Sequence, residues 1–264
     1  MDQFCQRTGK FGGKHRIIMG KQSGTVRLRR AFLSEGEKKL NTAGEARTIL
    51  FVQGIARRFG NKEVLRDISF DGRQGTCIGI TGLNGCGKST LLSILAGVRK
   101  PEGGTFTCYG RDMFREKSFF SKLIAYVPQE DPLIEELSVR DNIRLWAGAE
   151  EFDRQLLSRM QLDDLLKEKV SSLSGGMKRR LAIACAMGRR RPVLIMDEPA
   201  SALDLHQKDI IHSCLQTYLK QQGTIIMSTH DKDEICACSV LYYIENGTAV
   251  RADAQQVIAR LREG

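Results

Sequence analysis

Short unbroken apolar runs alternate with amphipathic stretches through most of this chain, and turns bearing Gly, Pro and Asn separate them. A strand buried on both faces reads as a continuous β-favouring run, whereas a half-buried helix repeats its apolar positions every three or four residues. By that criterion Ile49 to Ile55 predicts a strand, Arg57 to Asn61 a turn and Asp67 to Phe70 a second short strand, so this part forms a small antiparallel sheet. Thr76 to Thr81 predicts a strand feeding a glycine loop, followed by a helix that runs through Leu91 to Val98 until Pro101–Gly104 ends it. Thr105 to Tyr109 and Leu123 to Val127 predict further strands.

From Glu130 to Val170 the pattern turns helical, with Leu137, Val139, Ile143, Leu145, Leu156, Leu157, Leu162, Leu165 and Leu166 at amphipathic spacings. This leaves room for an inserted helical subdomain between two parts of an α/β core. Beyond it, Leu181 to Met187 predicts a helix, Val193 to Met196 a buried strand, Leu205 to Gln222 a helix and Thr224 to Ser228 another buried strand. A hairpin of Val240–Ile244 and Thr248–Val250 around Glu245-Asn246-Gly247 closes the core, and Asp253 to Glu263 predicts a terminal helix.

Residues 1–47 show no lasting apolar period and predict a disordered basic extension, because they cannot bury enough apolar surface to offset the entropy of ordering. Arg27 to Leu33 could form a short helix against the body or an anionic membrane; a transit peptide and a misassigned start codon are the other readings of this stretch. The tail changes how the net charge of +10 is read, since it carries 11 Lys/Arg against 4 Asp/Glu and leaves only about +3 on the other 217 residues. No specific nucleic-acid partner is therefore expected. With 41% hydrophobic and 27% charged residues the chain has the composition of a globular protein. No uncharged apolar run approaches the roughly 18 residues of a membrane span, and the first residues predict no secretory signal. The eight cysteines form no C-x-x-C pair and no zinc spacing with histidine; Cys185 and Cys214 fall in apolar runs, which fits a reducing cytosol.

Chemistry concentrates in a few places. Residues 76–91, TCIGITGLNGCGKSTL, fit the spacing G-x-x-x-x-G-K-[ST], with Gly82 and Gly87 as the fixed glycines and Gly85 as an extra one. Backbone N–H groups of Gly82, Leu83, Asn84, Gly85, Cys86, Gly87, Lys88, Ser89 and Thr90 can converge on phosphate oxygens in front of a helix N-terminus. Lys88 would reach the β/γ-phosphates and the Ser89 hydroxyl would hold Mg²⁺. Phe59 serves equally as a stacking platform for a purine or as a plug under a turn. Ser174 is a natural N-cap, and Gly175 and Gly176 leave a second helix N-terminus open to phosphate. The run Val193–Met196 delivers Asp197 and Glu198 to the carboxyl edge of a parallel sheet, Asp197 to hold Mg²⁺ through water and Glu198 to polarise an attacking water. His230 follows Thr224–Ser228 at the same edge and can reach a γ-phosphate.

Taken together, GLNGCGKST, YVPQ, LSGGM, VLIMDEP, SALD and STH occur in one order over residues 48–252. The chain thereby resembles the ATP-binding subunit of an ABC transporter. The resemblance implies an α/β P-loop NTPase core of mostly parallel sheet with flanking helices, an N-terminal antiparallel β-subdomain, a helical subdomain over about 130–190 and a C-terminal helix over 253–264. It further implies a MgATP hydrolase in which two such domains stack head to tail, each ATP lying between the phosphate loop of one and the signature of the other. Phe59 then matches the aromatic on adenine, Gln129 the residue linking Mg²⁺ and water to the membrane partner, Glu198 the general base and His230 the γ-phosphate switch. Ser174, Gly175 and Gly176, with Asp204 in part, match residues that serve the ATP of the opposite subunit. The implied partners are a second nucleotide-binding subunit, identical or paralogous, and an integral membrane permease that would hold the chain at the cytoplasmic face of the membrane.

Met177 stands where glutamine is usual, which favours the export branch, and Cys86 stands where Ala or Ser is more common. Because a helix N-terminus lowers a thiol pKa, Cys86 is expected to be acidified, and its bulky alkylation to block nucleotide binding. The alternative function within the resemblance is a soluble single-cassette ATPase in iron–sulfur assembly or another role outside transport.

Overall fold

The computed structural model describes residues 47–147 and 153–263; the expectations for the basic tail lie, apart from Arg47, outside the described residues. Two long strands, β1 (Thr48–Phe59) and β2 (Lys62–Arg73), form an antiparallel hairpin. The turn expected over Arg57–Asn61 is only two residues long, since Arg57, Arg58 and Phe59 are still paired and Phe59 lies opposite Lys62. Gly60, at φ +57°, supplies the positive φ that so tight a loop needs. The sequence pattern understates β1 because the strand bulges at Gly54: the register shifts between Val52 and Ile55, and the alternation of inward and outward residues changes phase.

Strand β3 (Cys77–Thr81) leads through the glycine loop into α1 (Lys88–Leu95). This helix stops short of Val98 because Gly97, at φ +76°, turns the chain, its N–H closing onto the Ile94 carbonyl at 2.9 Å. Strands β4 (Gly103–Cys108) and β5 (Arg111–Asp112) extend the antiparallel layer beyond β1, and α2 (Phe120–Leu123) precedes β6 (Ile124–Val127). The helical stretch then breaks into α3 (Val139–Trp146), α4 (Arg154–Arg159) and 3₁₀ turns at Asp163–Leu165 and Val170–Ser172. Val139, Ile143, Leu156, Leu157 and Leu162 are buried, but Leu145 faces solvent. Two residues after Ile143, it points to the other side of so short a helix.

The remaining elements are α5 (Gly175–Met187), β7 (Val193–Asp197), α6 (Leu205–Lys220), β8 (Thr224–Ser228), α7 (Lys232–Ala237), β9 (Val240–Glu245), β10 (Thr248–Ala252) and α8 (Ala254–Glu263). The last helix begins one residue later than expected because Asp253 caps it, accepting from the Gln256 N–H at 2.8 Å. Helix α7 escapes a periodicity reading because six residues are less than two turns; the Asp231 carboxylate starts it by accepting from the N–H groups of Asp233 and Glu234.

All ten strands join one sheet in the order β5-β4-β1-β2-β10-β9-β3-β8-β7-β6, and β9, β3, β8, β7 and β6 are mutually parallel. The parallel strands are covered on both faces, and their period of two sorts their side chains into two cores. Ile78, Ile80, Val193, Ile195 and Ile226 face α1 and the antiparallel layer. Leu194, Met196, Ile225 and Met227 face α3, α4, α5 and α6. The fold is thus a mixed α/β architecture in which a mostly parallel sheet carries an antiparallel extension.

Gly54 and Gly104 meet back to back where β4 crosses the bulge in β1. A methyl group on Gly104, which has φ +90°, would lie 2.4 Å from the Gly54 carbonyl oxygen, and neither backbone can retreat. Gly104→Ala should therefore destabilise the chain by about 2 kcal/mol or more, read as a lowered urea midpoint. An unchanged midpoint would contradict this close approach.

Candidate functional site

Parallel pairing puts the carboxyl ends of β3, β8 and β7 in one row. Ile80 pairs with Ser228, and Ser228 pairs with Asp197, so the segments leaving these strands start from neighbouring points on one sheet edge. In open α/β sheets that edge is where ligands bind. The glycine loop, the acid pair and the residues before His230 are its three contributors.

The loop closes tightly before α1. Gly82 is at φ +143°, and a methyl group there would lie 2.7 Å from the Ile244 carbonyl oxygen and 2.8 Å from the Cys86 sulfur. Gly87, at φ +109°, opens α1 without any side-chain cap. The first N–H groups of the helix therefore keep the donor capacity that an anion would use. Lys88 is buried, and its ammonium donates to the carbonyl oxygens of Gly82 at 2.9 Å and Leu83 at 3.1 Å, which curls the loop around it. Leu83, Asn84, Gly85 and Ser89 are exposed, and Thr90 is half-buried. Cys86 corrects an expectation: burial pushes its thiol pKa above the ordinary value, outweighing the opposing effects of Lys88 and the backbone amides. The sulfur lies under the loop against Gly82, so desolvation wins over the helix terminus.

At the end of β7, Asp197 is 2% exposed, and its Oδ1 accepts from the Ser228 hydroxyl at 2.5 Å. The same Ser228 oxygen accepts from the Glu198 N–H at 2.9 Å. Glu198 adopts φ +47°, an uncommon backbone for a residue with a side chain. Its Oε1 lies 3.2 Å from His230 Nε2, so the structure brings together the two residues assigned to base and switch. Burial, then the Lys88 ammonium, hold the imidazole pKa below its ordinary value against the opposing pull of Glu198, which leaves His230 neutral at pH 7. Thr229, just before it, is buried and donates its hydroxyl to the Glu234 carboxylate. The hydroxyl, amide and carboxylate oxygens that Ser89, Gln129 and Asp197 carry are of the type Mg²⁺ prefers, a cation that keeps several of its waters. Among the described residues no cluster of His, Cys, Asp and Glu would hold a softer metal.

Phe59 ends β1 with 39% of its surface exposed, and the guanidinium groups of Arg57 and Arg99 stand 4.9 and 5.7 Å from its ring. It is not a plug beneath the turn. Ser174 and Gly175 are exposed; the Ser174 hydroxyl caps α5 by accepting from the Met177 N–H at 3.3 Å. Gly176 lies against Gln207, where a methyl group would come within 3.1 Å. Asp204 is exposed and caps α6 by accepting from the Gln207 N–H at 2.8 Å, so the LSGGM and SALD segments are neighbours.

Arg179 is a site residue the sequence reading passed over. Its buried guanidinium donates from Nε to Pro199 O at 3.0 Å, and from Nη2 to Asp197 O at 2.7 Å and Glu198 O at 3.0 Å. Nη1 reaches Pro128 O at 2.7 Å, Gln129 O at 3.4 Å and the Asp131 carboxylate at 2.8 Å. A signal was present: Lys178-Arg179-Arg180 places three cations near a helix N-terminus, where the dipole disfavours them, so each needs a dedicated partner. Lys178 pairs with Glu135 at 2.6 Å, and Arg180 donates to the Met160 carbonyl at 2.5 Å.

A family model described as ABC transporter matches residues 65–201. The Nod factor export ATP-binding protein I of Rhizobium sp. (strain N33) is 35% identical over 184 residues, covering 67% of this chain and 60% of that protein. Its namesake in Bradyrhizobium diazoefficiens is 34% identical over 184 residues, again 67% and 60%. The match thus spans about 60% of the length of these curated relatives. A solved ATP-binding subunit of an ABC transporter superimposes with a TM-score of 0.73 at 24% identity, covering 81% of this chain and all of that one. A bacterial Atm1-family ABC exporter with ATP bound also gives 0.73, at 21% identity over 82% of this chain and 42% of its own. At these identities the two structures establish the fold.

The position of Cys86 has a measurable consequence. Because the thiolate is the nucleophile, iodoacetamide should modify Cys86 slowly at pH 7, with a rate that climbs only as the pH passes the ordinary thiol range of about 8.5. Peptide mass spectrometry across pH gives the profile, and a midpoint at or below that range would contradict burial as the controlling term.

Proposed function

We propose a function from the premise that this chain belongs to the ABC transporter family: it binds and hydrolyses ATP as the motor subunit of a transporter, and a separate integral membrane permease supplies the path. The observation that carries this reading is the contact between Glu198 and His230 within the field of the buried Lys88 ammonium. A carboxylate and a neutral imidazole held together beside a phosphate-binding loop suit the attack of water on a γ-phosphorus, a reaction catalysed mostly by positioning and charge neutralisation.

In this reading the loop amides from Gly82 to Thr90 and the Lys88 ammonium hold the triphosphate, and Phe59 offers its exposed ring to the base. Ser89, Gln129 and Asp197 would hold Mg²⁺, which when bound neutralises charge on the β- and γ-oxygens. Glu198 accepts the proton of the attacking water, and His230 orients the γ-phosphate. Ser174, Gly175 and Gly176, with Asp204 beside them, serve the nucleotide of a second subunit stacked head to tail. The exposure of Ser174, Gly175 and Asp204 on the neighbouring starts of α5 and α6 supports that assignment. No described helix is long and apolar enough to cross a membrane, so the membrane path requires another subunit or segment. Outward transport is favoured by the names of the relatives, which are export proteins, and by Met177 in the signature.

Glu198→Gln keeps the shape of the side chain and removes its basicity. It should retain MgATP binding, accumulate a dimer in size-exclusion chromatography with ATP present, and lose turnover by a factor on the order of 10² or more. Turnover equal to that of the unaltered chain would remove Glu198 from the role of base.

A further inference from the structure

Glu198 holds its carboxylate on a strained backbone, and that backbone is clamped on both sides. Its N–H is taken by Ser228 Oγ at 2.9 Å, and its carbonyl by Arg179 Nη2 at 3.0 Å. A residue with a side chain at φ +47° persists only where its surroundings over-determine it. Arg179 does more than this, because the same guanidinium binds carbonyls on both sides of Glu198 and reaches across to Pro128 and Gln129 at the end of β6. All three of its nitrogens have acceptors, and these lie on the two loops that carry Glu198 and Gln129. The side chain comes from α5, one turn after the Ser174 cap.

We infer that Arg179 is a positioning residue for hydrolysis: from the signature helix it fixes the peptide of Glu198, and with it the aim of the carboxylate at water and at His230. The inference rests on the function proposed above. Its physical basis is the guanidinium fork, which lysine cannot replace. An ammonium has three donors on one nitrogen and cannot span carbonyls of two loops, so Arg179→Lys keeps the charge and frees the Glu198 peptide. Nothing in the Arg179 contacts touches the phosphate loop or Phe59. Catalysis and nucleotide affinity should therefore separate.

The test uses the full chain, with ATP affinity measured by a fluorescent ATP analogue and turnover by phosphate release. Arg179→Lys is expected to lower kcat about tenfold or more with KM and ATP affinity changed less than twofold. In the Glu198→Gln background it should add no further loss in single-turnover hydrolysis, since groups acting through one another are not additive. An unchanged kcat, a loss of affinity in step with kcat, or a full additional loss in the Glu198→Gln background would each overturn the inference. Should Arg179→Lys not fold, Ser228→Ala releases the N–H side of the same peptide and is expected to show the same split between kcat and affinity; an unchanged kcat there overturns the clamp. If Glu198→Gln itself hydrolyses ATP like the unaltered chain, the proposed function has failed and takes this inference with it.

Discussion

The site depends first on the parallel ladder of β3, β8 and β7. Pairing Ile80 with Ser228 and Ser228 with Asp197 fixes the height at which each strand ends, and the three segments that leave those ends carry Lys88, Glu198 and His230. Because side chains alternate with a strict period of two, a slip of one residue would also exchange the two cores. The isoleucines packed under α1 and the leucine and methionines packed under α5 and α6 therefore hold the register, and through it the chemistry. The hydrogen bond from Ser228 to Asp197 is the polar counterpart of that ladder, tying two strand ends by their side chains.

On this frame the charged groups are arranged so that each is held by a partner. Lys88 rests on two loop carbonyls, Arg179 on a ring of carbonyls and one carboxylate, and Glu198 on His230. Burial sets the direction in which the site titrates, since it raises the thiol of Cys86 and lowers the imidazole of His230, in each case favouring the neutral form. The strained residue of the group, Glu198, is the one assigned to hydrolysis, which is where backbone strain is commonly stored.

Much of this was legible in the residues. The runs Val193–Met196 and Thr224–Ser228 are buried on both faces, with polar residues only at the two ends of the second, and both strands appear where the runs stand. The phosphate loop and its helix announce themselves because only glycine satisfies the φ values and close approaches found there. Illegible features were those decided by tertiary contact. The bulge at Gly54 hid half of the first hairpin, and Leu145 shared an apolar spacing with core residues while lying on the outer side of a short helix. The Cys86 thiol was misjudged because a helix terminus can be seen in sequence and desolvation cannot. The three cations at the start of α5 are visible in sequence, but which acceptors Arg179 reaches is decided by tertiary contact, since most of them are backbone carbonyls.

The central claim is that the glycine loop and the Lys88 ammonium grip a triphosphate at the carboxyl edge of the parallel strands. Isothermal titration of MgATP into the unaltered chain and into Lys88→Ala tests it most directly. The unaltered chain should bind one equivalent, and Lys88→Ala should weaken binding on the order of a hundredfold, about 2.7 kcal/mol. Equal affinity in the two proteins, or no heat of binding in the unaltered one, would contradict the account.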